Sequence, residues 1–207
     1  MIRTALADFA RRNMMLPTRV VLIVSVLWST AKAPLFAQTN FNTAGAGHDY
    51  FTAEQDGVKD YLNNMTIYHL NKVTGWIQQG RIGDAVADLK YVLDRFPNNP
   101  QALQLLPMVA RLAKNQSMAI SYFEKALKQF PQYAITHAQY GLYLVSNGNV
   151  DEGLEQFKQC IAIDSKFAAG HAGLAHAYAK KGDLTKAREA ADKARELGFT
   201  GQLPAGL

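Results

Sequence analysis

A unit of 34 residues repeats four times, without a gap, over the last two-thirds of this 207-residue chain. Frames opening at Thr66, Pro100, Ala134 and Ala168 carry the same kinds of residue at the same offsets. The twentieth position holds Ala85, Ala119, Gly153 and Ala187. The twenty-seventh holds Val92, Ala126, Cys160 and Ala194, and the thirty-second holds Pro97, Pro131, Ser165 and Phe199. A fixed period of this length specifies a solenoid, because so short a unit cannot bury its apolar face alone and must stack on its neighbours. Such a stack presents a long surface rather than a single pocket, which points to binding rather than catalysis.

Each unit divides into two helical stretches of about 13 residues joined by a short turn, as the apolar spacing dictates. In the third unit the stretches are 134–146 and 150–163, with Asn147, Gly148 and Asn149 between them. Gly80, Gly148 and Gly182 share one turn position, where a left-handed backbone is cheap only for glycine. The second unit has Lys114 there, and its neighbour Asn115 is expected to take the left-handed conformation. Asn149 and Glu152 have capping-box spacing. Gly141 and Ala175 in the first helices, and the small residues at the twentieth position, let paired helices approach closely. Leu89, Phe123 and Phe157, four residues further on, fill the adjacent space. Pro97 and Pro131 end second helices, because proline lacks the amide hydrogen and disfavours helix in the residue before it. Pro107, where a small residue is expected, predicts a kink, and Lys72 and Val73 make the first unit the most divergent.

This pattern resembles the tetratricopeptide repeat. The resemblance is carried by Tyr140-Gly141 with Gly148, Gly153, Phe157 and Cys160. Leu174-Ala175 with Tyr178, Gly182-Asp183, Ala187, Ala191 and Ala194 carry it again, and 91–97 looks like the end of such a unit. It covers 66–201 as units 66–99, 100–133, 134–167 and 168–201. It implies an all-α fold, a right-handed superhelical solenoid of four helix–turn–helix repeats whose first helices line a concave groove for a partner segment. The groove offsets of the family fall on Ile67, Leu70 and Thr74 in the first unit and on Gln101, Gln104, Met108 and Arg111 in the second. In the third they fall on Ile135, Ala138 and Leu142, and in the fourth on Ala169, Ala172, His176 and Lys180. The Lys, Arg and Asn clamp with which one subclass of the family grips C-terminal carboxylates is missing here. A mostly apolar groove with glutamines suits a protein or peptide segment with apolar anchors. The family commonly ends in a solvating helix. Here 202–207 reads as a tail, and Phe199, Leu203 and Leu207 are expected to fold over the Ala-rich last helix unless a partner covers it.

The N-terminal third reads differently. Residues 1–37 carry Arg3, Arg11, Arg12, Arg19 and Lys32 against Asp8, five cations to one anion, or +4. The remainder carries 17 cations and 16 anions, so the formal +5 belongs almost wholly to that first segment. The repeats therefore lack the basic excess that nucleic-acid binding requires. The run 20–28 (VVLIVSVLW) is short for a membrane span, which needs about 20 residues, and small residues follow it. A basic start, a short apolar core and a small-residue end read as a signal peptide over 1–37, cut after Ala37, with Met14 or Met15 as alternative starts. An uncleaved N-terminal anchor is the other reading, and it is the only route to a membrane. Arg11-Arg12 suggests a twin-arginine signal, but Pro17 and Arg19 do not suit one. Residues 38–51 are polar and Gly-rich and read as a flexible linker; Thr52 and Gln55 fit a capping box opening a helix over 52–65 that packs on the first repeat.

Little chemistry is legible. His69, His137 and His171 share the fourth position of three units, so the solenoid spaces them too far apart to hold one metal ion. Cys160 replaces the usual alanine and reads as a small buried hydrophobe. The acidic residues alternate with Lys and Arg as on a solvated helix face. No acid, base and nucleophile converge, so the chain reads as no enzyme, with no cofactor and no metal. The function that fits is a periplasmic protein–protein scaffold or adaptor. The alternative is a membrane-tethered structural module of an envelope complex with 20–28 retained.

Overall fold

The computed structural model describes residues 47–206, and the regular structure of those residues is entirely helical. Helix α1 (Lys59–Met65) runs through a π-helical turn (Thr66–Leu70) into α2 (Asn71–Gln78). There follow α3 (Ile82–Arg95), α4 (Pro100–Leu112), α5 (Gln116–Gln129), α6 (Ala134–Ser146), α7 (Val150–Ile163), α8 (Ala168–Lys181) and α9 (Leu184–Glu196). The helices pair as α2–α3, α4–α5, α6–α7 and α8–α9, each hairpin stacks on the next, and α6 also touches α4 and α8. This is an all-α solenoid.

The turns inside the hairpins follow one recipe with one exception in chemistry. Gly80, Gly148 and Gly182 have φ of 72°, 94° and 80°, and Lys114 takes the same left-handed conformation at φ 53°. The expectation that Asn115 would supply it does not hold, since Asn115 has φ −129°. Asn115 caps α5 instead, its side chain accepting from the Met118 amide at 3.1 Å. Asn99 caps α4, accepting from the amides of Gln101 and Ala102 at 3.0 Å each, with Pro100 opening the helix. Asn149 precedes α7 but its side chain makes no cap bond, so the capping box expected with Glu152 is not formed. Helix α4 is continuous through Pro107.

The paired helices lie closest in the third and fourth units. Gly141 of α6 faces Gly153 of α7, and a Cβ on Gly153 would lie 2.9 Å from the Gly141 carbonyl and 2.5 Å from Val145 Cγ2. In the first two units the equivalent of Gly141 is Val73 or Pro107, whose bulk keeps those pairs looser.

Two apolar cores meet on α6. Tyr140, Tyr143 and Leu144 join a core built from the first two units, including Leu89, Phe96, Leu103 and Phe123. Ile135, Ala138, Leu142 and Val145 join the core of the last two, with Phe157, Phe167 and Ala172. Every residue from 134 to 145 is buried. Helix α9 shows a single apolar stripe: it buries only Ala187, Ala190, Ala191 and Ala194, while its charged residues face solvent.

The N-terminal segment departs from the sequence expectation in two places. Helix α1 begins at Lys59, not at Thr52, because Thr52–Asp56 forms a single turn that Gly57, at φ 73°, closes. Thr52 bonds Asp56 rather than capping a helix. The last five residues of the expected linker, 47–51, are docked along the loops between units. His48 N donates to the Arg95 carbonyl at 2.6 Å, and Tyr50 N donates to Asn98 Oδ1 at 2.9 Å. Asp49 accepts from Asn98 Nδ2 at 2.7 Å and from the Tyr133 hydroxyl at 2.6 Å, and Phe51 stacks on the Tyr133 ring. One carboxylate thereby ties the loop before α4 to the loop before α6. The signal or anchor segment, the rest of the linker and Leu207 lie outside the described residues.

Two substitutions test this packing. Gly153→Ala should lower stability by about 1 to 2 kcal/mol in urea unfolding, since the methyl meets backbone it cannot displace, whereas Gly83→Ala, with open space around it, should not. Lys114→Gly should raise stability by about 0.5 to 1 kcal/mol, relief of left-handed strain outweighing the added chain entropy.

Candidate functional site

The fourteen predicted groove residues fall into three sets. Leu70, Ile135, Ala138, Leu142, Ala169 and Ala172 are buried, at 9% exposure or less, and are part of the two cores. His176 and Lys180 are engaged: His176 Nε2 donates to the Gln202 carbonyl at 3.0 Å, and Lys180 Nζ to the Val145 carbonyl at 2.7 Å. Of the other six, all in the first two units, Ile67, Thr74 and Arg111 are exposed and Gln101, Gln104 and Met108 are half-buried. Ile67 is 56% exposed and its neighbour Tyr68 59%, values that set them apart from the buried apolar residues around them. Sequence reasoning missed Tyr68. The π-helical turn that carries both residues has no readable signature in the sequence.

The chain itself covers part of the C-terminal half of this face, where Lys180 stays exposed. Phe199 is buried and Leu203 packs against the same core, as expected of residues folding back over the last unit. Residue 202 is where a further unit would open, and its carbonyl meets α8 through His176.

The histidines at the fourth position serve stacking. His137 Nε2 donates to the Pro131 carbonyl and His171 Nε2 to the Ser165 carbonyl, each at 3.0 Å, six residues back in the loop before its own helix. His137 Nδ1 also meets the Gln156 amide at 2.9 Å. His69 instead shares Asp88 with Trp76, both bonds being 2.7 Å. Among the described residues no group of His, Cys, Asp and Glu is arranged to hold a metal ion. Cys160 is fully buried against Gly170, and burial pushes its thiol well above the ordinary range, where it is a poor nucleophile.

Sequence models of the tetratricopeptide repeat match residues 77–134 and 144–199, together more than half of the chain. The chain belongs to the tetratricopeptide repeat family. No curated protein matches it by sequence. Among solved structures, a crystal structure of MamA gives a TM-score of 0.50 at 21% identity, over 71% of this chain and 82% of that one. The structure titled MamA 41-end from Desulfovibrio magneticus RS-1 gives 0.49 at 19% identity, over 71% and 89%. At such identities the likeness bears on the fold alone. The tetratricopeptide repeats make this chain a protein–protein interaction scaffold, and the family is typically non-enzymatic.

The tail contact carries a pH dependence. Burial lowers the His176 pKa, the Gln202 bond opposes that, and the Lys180 charge adds to the lowering. The unfolded chain, with its histidine near about 6.5, therefore takes up the proton first as pH falls. The stability contributed by neutral His176 is whole above that value and declines below it, down to the folded-state pKa. Urea unfolding between pH 8 and pH 5 should show a larger loss for the wild type than for His176→Gln; equal losses would refute the assignment.

Proposed function

We propose that this tetratricopeptide repeat protein is an exported, non-enzymatic adaptor whose partner segment lies against the open half of the first-helix face. The observation that carries the reading is the division of that face. In its third and fourth units Ile135, Ala138, Leu142, Ala169 and Ala172 are buried in the cores, while the first two units leave Ile67 exposed and Met108, Gln101 and Gln104 half-buried. Apolar side chains flanked by amides suit an extended or helical segment with apolar anchors, the amides fixing its register. Export rests on the charge and hydropathy order of residues 1–37; the periplasm, or another space outside the cytoplasm, is where such a scaffold would act.

A photo-crosslinking residue placed at 67 or at 108 in the native host should capture the same protein, while one at Gln159, on the exposed side of α7, should not. Capture of that protein from position 159 as well, or capture from none of the three, would sink the groove assignment. N-terminal sequencing of the same preparation should begin near Gln38; retention of 20–28 would instead establish the membrane-tethered alternative.

A further inference from the structure

A second cleft lies on the other side of α6. Tyr140 and Leu144 face it, about 200° around the helix from the buried Leu142, as a two-residue offset requires. Its volume is about 390 Å³, and Leu127 of α5 completes an apolar floor with Tyr140 and Leu144. Three carboxylates rim it: Glu124 from α5, and Glu152 and Glu155 from α7. Glu155 is held by Lys158 at 2.5 Å, whereas Glu124 and Glu152 have no ion-pair partner among the described residues.

The floor carries a polar group without a protein partner. Tyr140 is only 6% exposed, its ring stacks on Phe123, and its hydroxyl makes no hydrogen bond among the described residues. Burial, then the charges of Glu124 and Glu152, raise that hydroxyl above its ordinary range, so both carboxylates act on it. The other core tyrosines that line the stack do find partners: Tyr122 donates to Asp94, Tyr133 to Asp49 and Tyr143 to the Gln116 carbonyl.

Repeat symmetry supplies an internal control. Glu124 stands at the twenty-fifth position of its unit and Glu152 at the nineteenth of the next. One unit further on, the same two positions hold Lys158 and Lys186, and both line the equivalent cleft. Those lysines are already paired, with Glu155 and Asp183. Stacking therefore tolerates either sign at these positions, and the unpaired acidic pair is not a requirement of the scaffold.

We propose that the cleft between α5, α6 and α7 is a docking site for a lysine or arginine side chain from a basic segment of a partner protein. The aliphatic stem of such a side chain would lie on Leu127, Tyr140 and Leu144. Its cationic head would sit between Glu124 and Glu152 and donate to the Tyr140 hydroxyl. The site is independent of the first-helix face.

The test is a titration of the full chain, followed by amide proton–nitrogen spectra, with the capped tripeptide acetyl-Ala-Arg-Leu-amide. Its neutral citrulline counterpart and spermidine serve as comparison probes. Saturable shifts at Leu127, Tyr140, Leu144 and Glu152 are expected with the arginine peptide, with binding at least about fivefold weaker for citrulline. Glu124→Gln/Glu152→Gln, at two exposed positions, should weaken the peptide by about fivefold or more, and Tyr140→Phe by about threefold. No saturable shift, equal binding of citrulline, or an unaffected double variant would overturn the proposal. Spermidine binding as tightly as the peptide would overturn the assignment to a protein partner.

Discussion

The burial of α6 on every side is the condition on which the rest of the solenoid depends. A surface helix has one apolar stripe, and a repeat array of such helices would fall into separable hairpins. Here one helix gives Tyr140, Tyr143 and Leu144 to the core before it and Ile135, Ala138, Leu142 and Val145 to the core after it. The two cores are thereby a single mechanical object. Close approach makes this possible, since Gly141 and Gly153 bring α7 against α6 without side chains between them. Two polar residues of the same helix bond its neighbours: Gln139 donates to the Pro100 carbonyl at 2.9 Å and His137 to the Pro131 carbonyl at 3.0 Å. Both are bonds between units, so the helix that joins the cores also fixes their spacing.

Any finite stack must also finish its ends and edges. At the C-terminal end Phe199 and Leu203 cover the Ala-rich α8–α9 pair, whose small side chains leave little to cover. Along the loop edge, Asp49 and Phe51 bridge Asn98 and Tyr133. These contacts come from segments without helical character, so no periodicity announces them. Their effect is to stiffen the junctions between the first three units and to cover part of the first-helix face over the last two. What remains open is the π-helical turn with Ile67 and Tyr68 and the polar and sulfur-bearing side chains of α4.

Recognition and scaffolding are separated by position in this molecule. Small residues at the twentieth position, glycine or its Lys114 substitute in the turn, and apolar residues in the stripe are demanded by stacking. Positions such as the nineteenth and twenty-fifth are not, and they change sign between adjacent clefts, from Glu124 and Glu152 to Lys158 and Lys186. A repeat protein can vary such positions unit by unit without disturbing its neighbours, since each unit contacts only those beside it.

The helical hairpins, their tight pairing and their turns were legible in the sequence, because a 34-residue period repeats a local rule and local rules are written in neighbouring residues. Helices α4, α6 and α8 open at Pro100, Ala134 and Ala168, where the frames open. The sequence did not disclose that Leu142 would be buried while Met108, at the same ninth position, stayed partly accessible. That depends on how closely units stack and on what the tail and the 47–53 segment cover, and those contacts join residues far apart in the chain. Nor did it disclose that Lys114 would carry a left-handed backbone itself, the stacked helices on either side fixing a turn that the local sequence disfavours. The chain alone set the rule by which each unit folds; the tertiary structure decided which of its surfaces were left for anything else to touch, because exposure is a property of neighbours in space and not of neighbours in sequence.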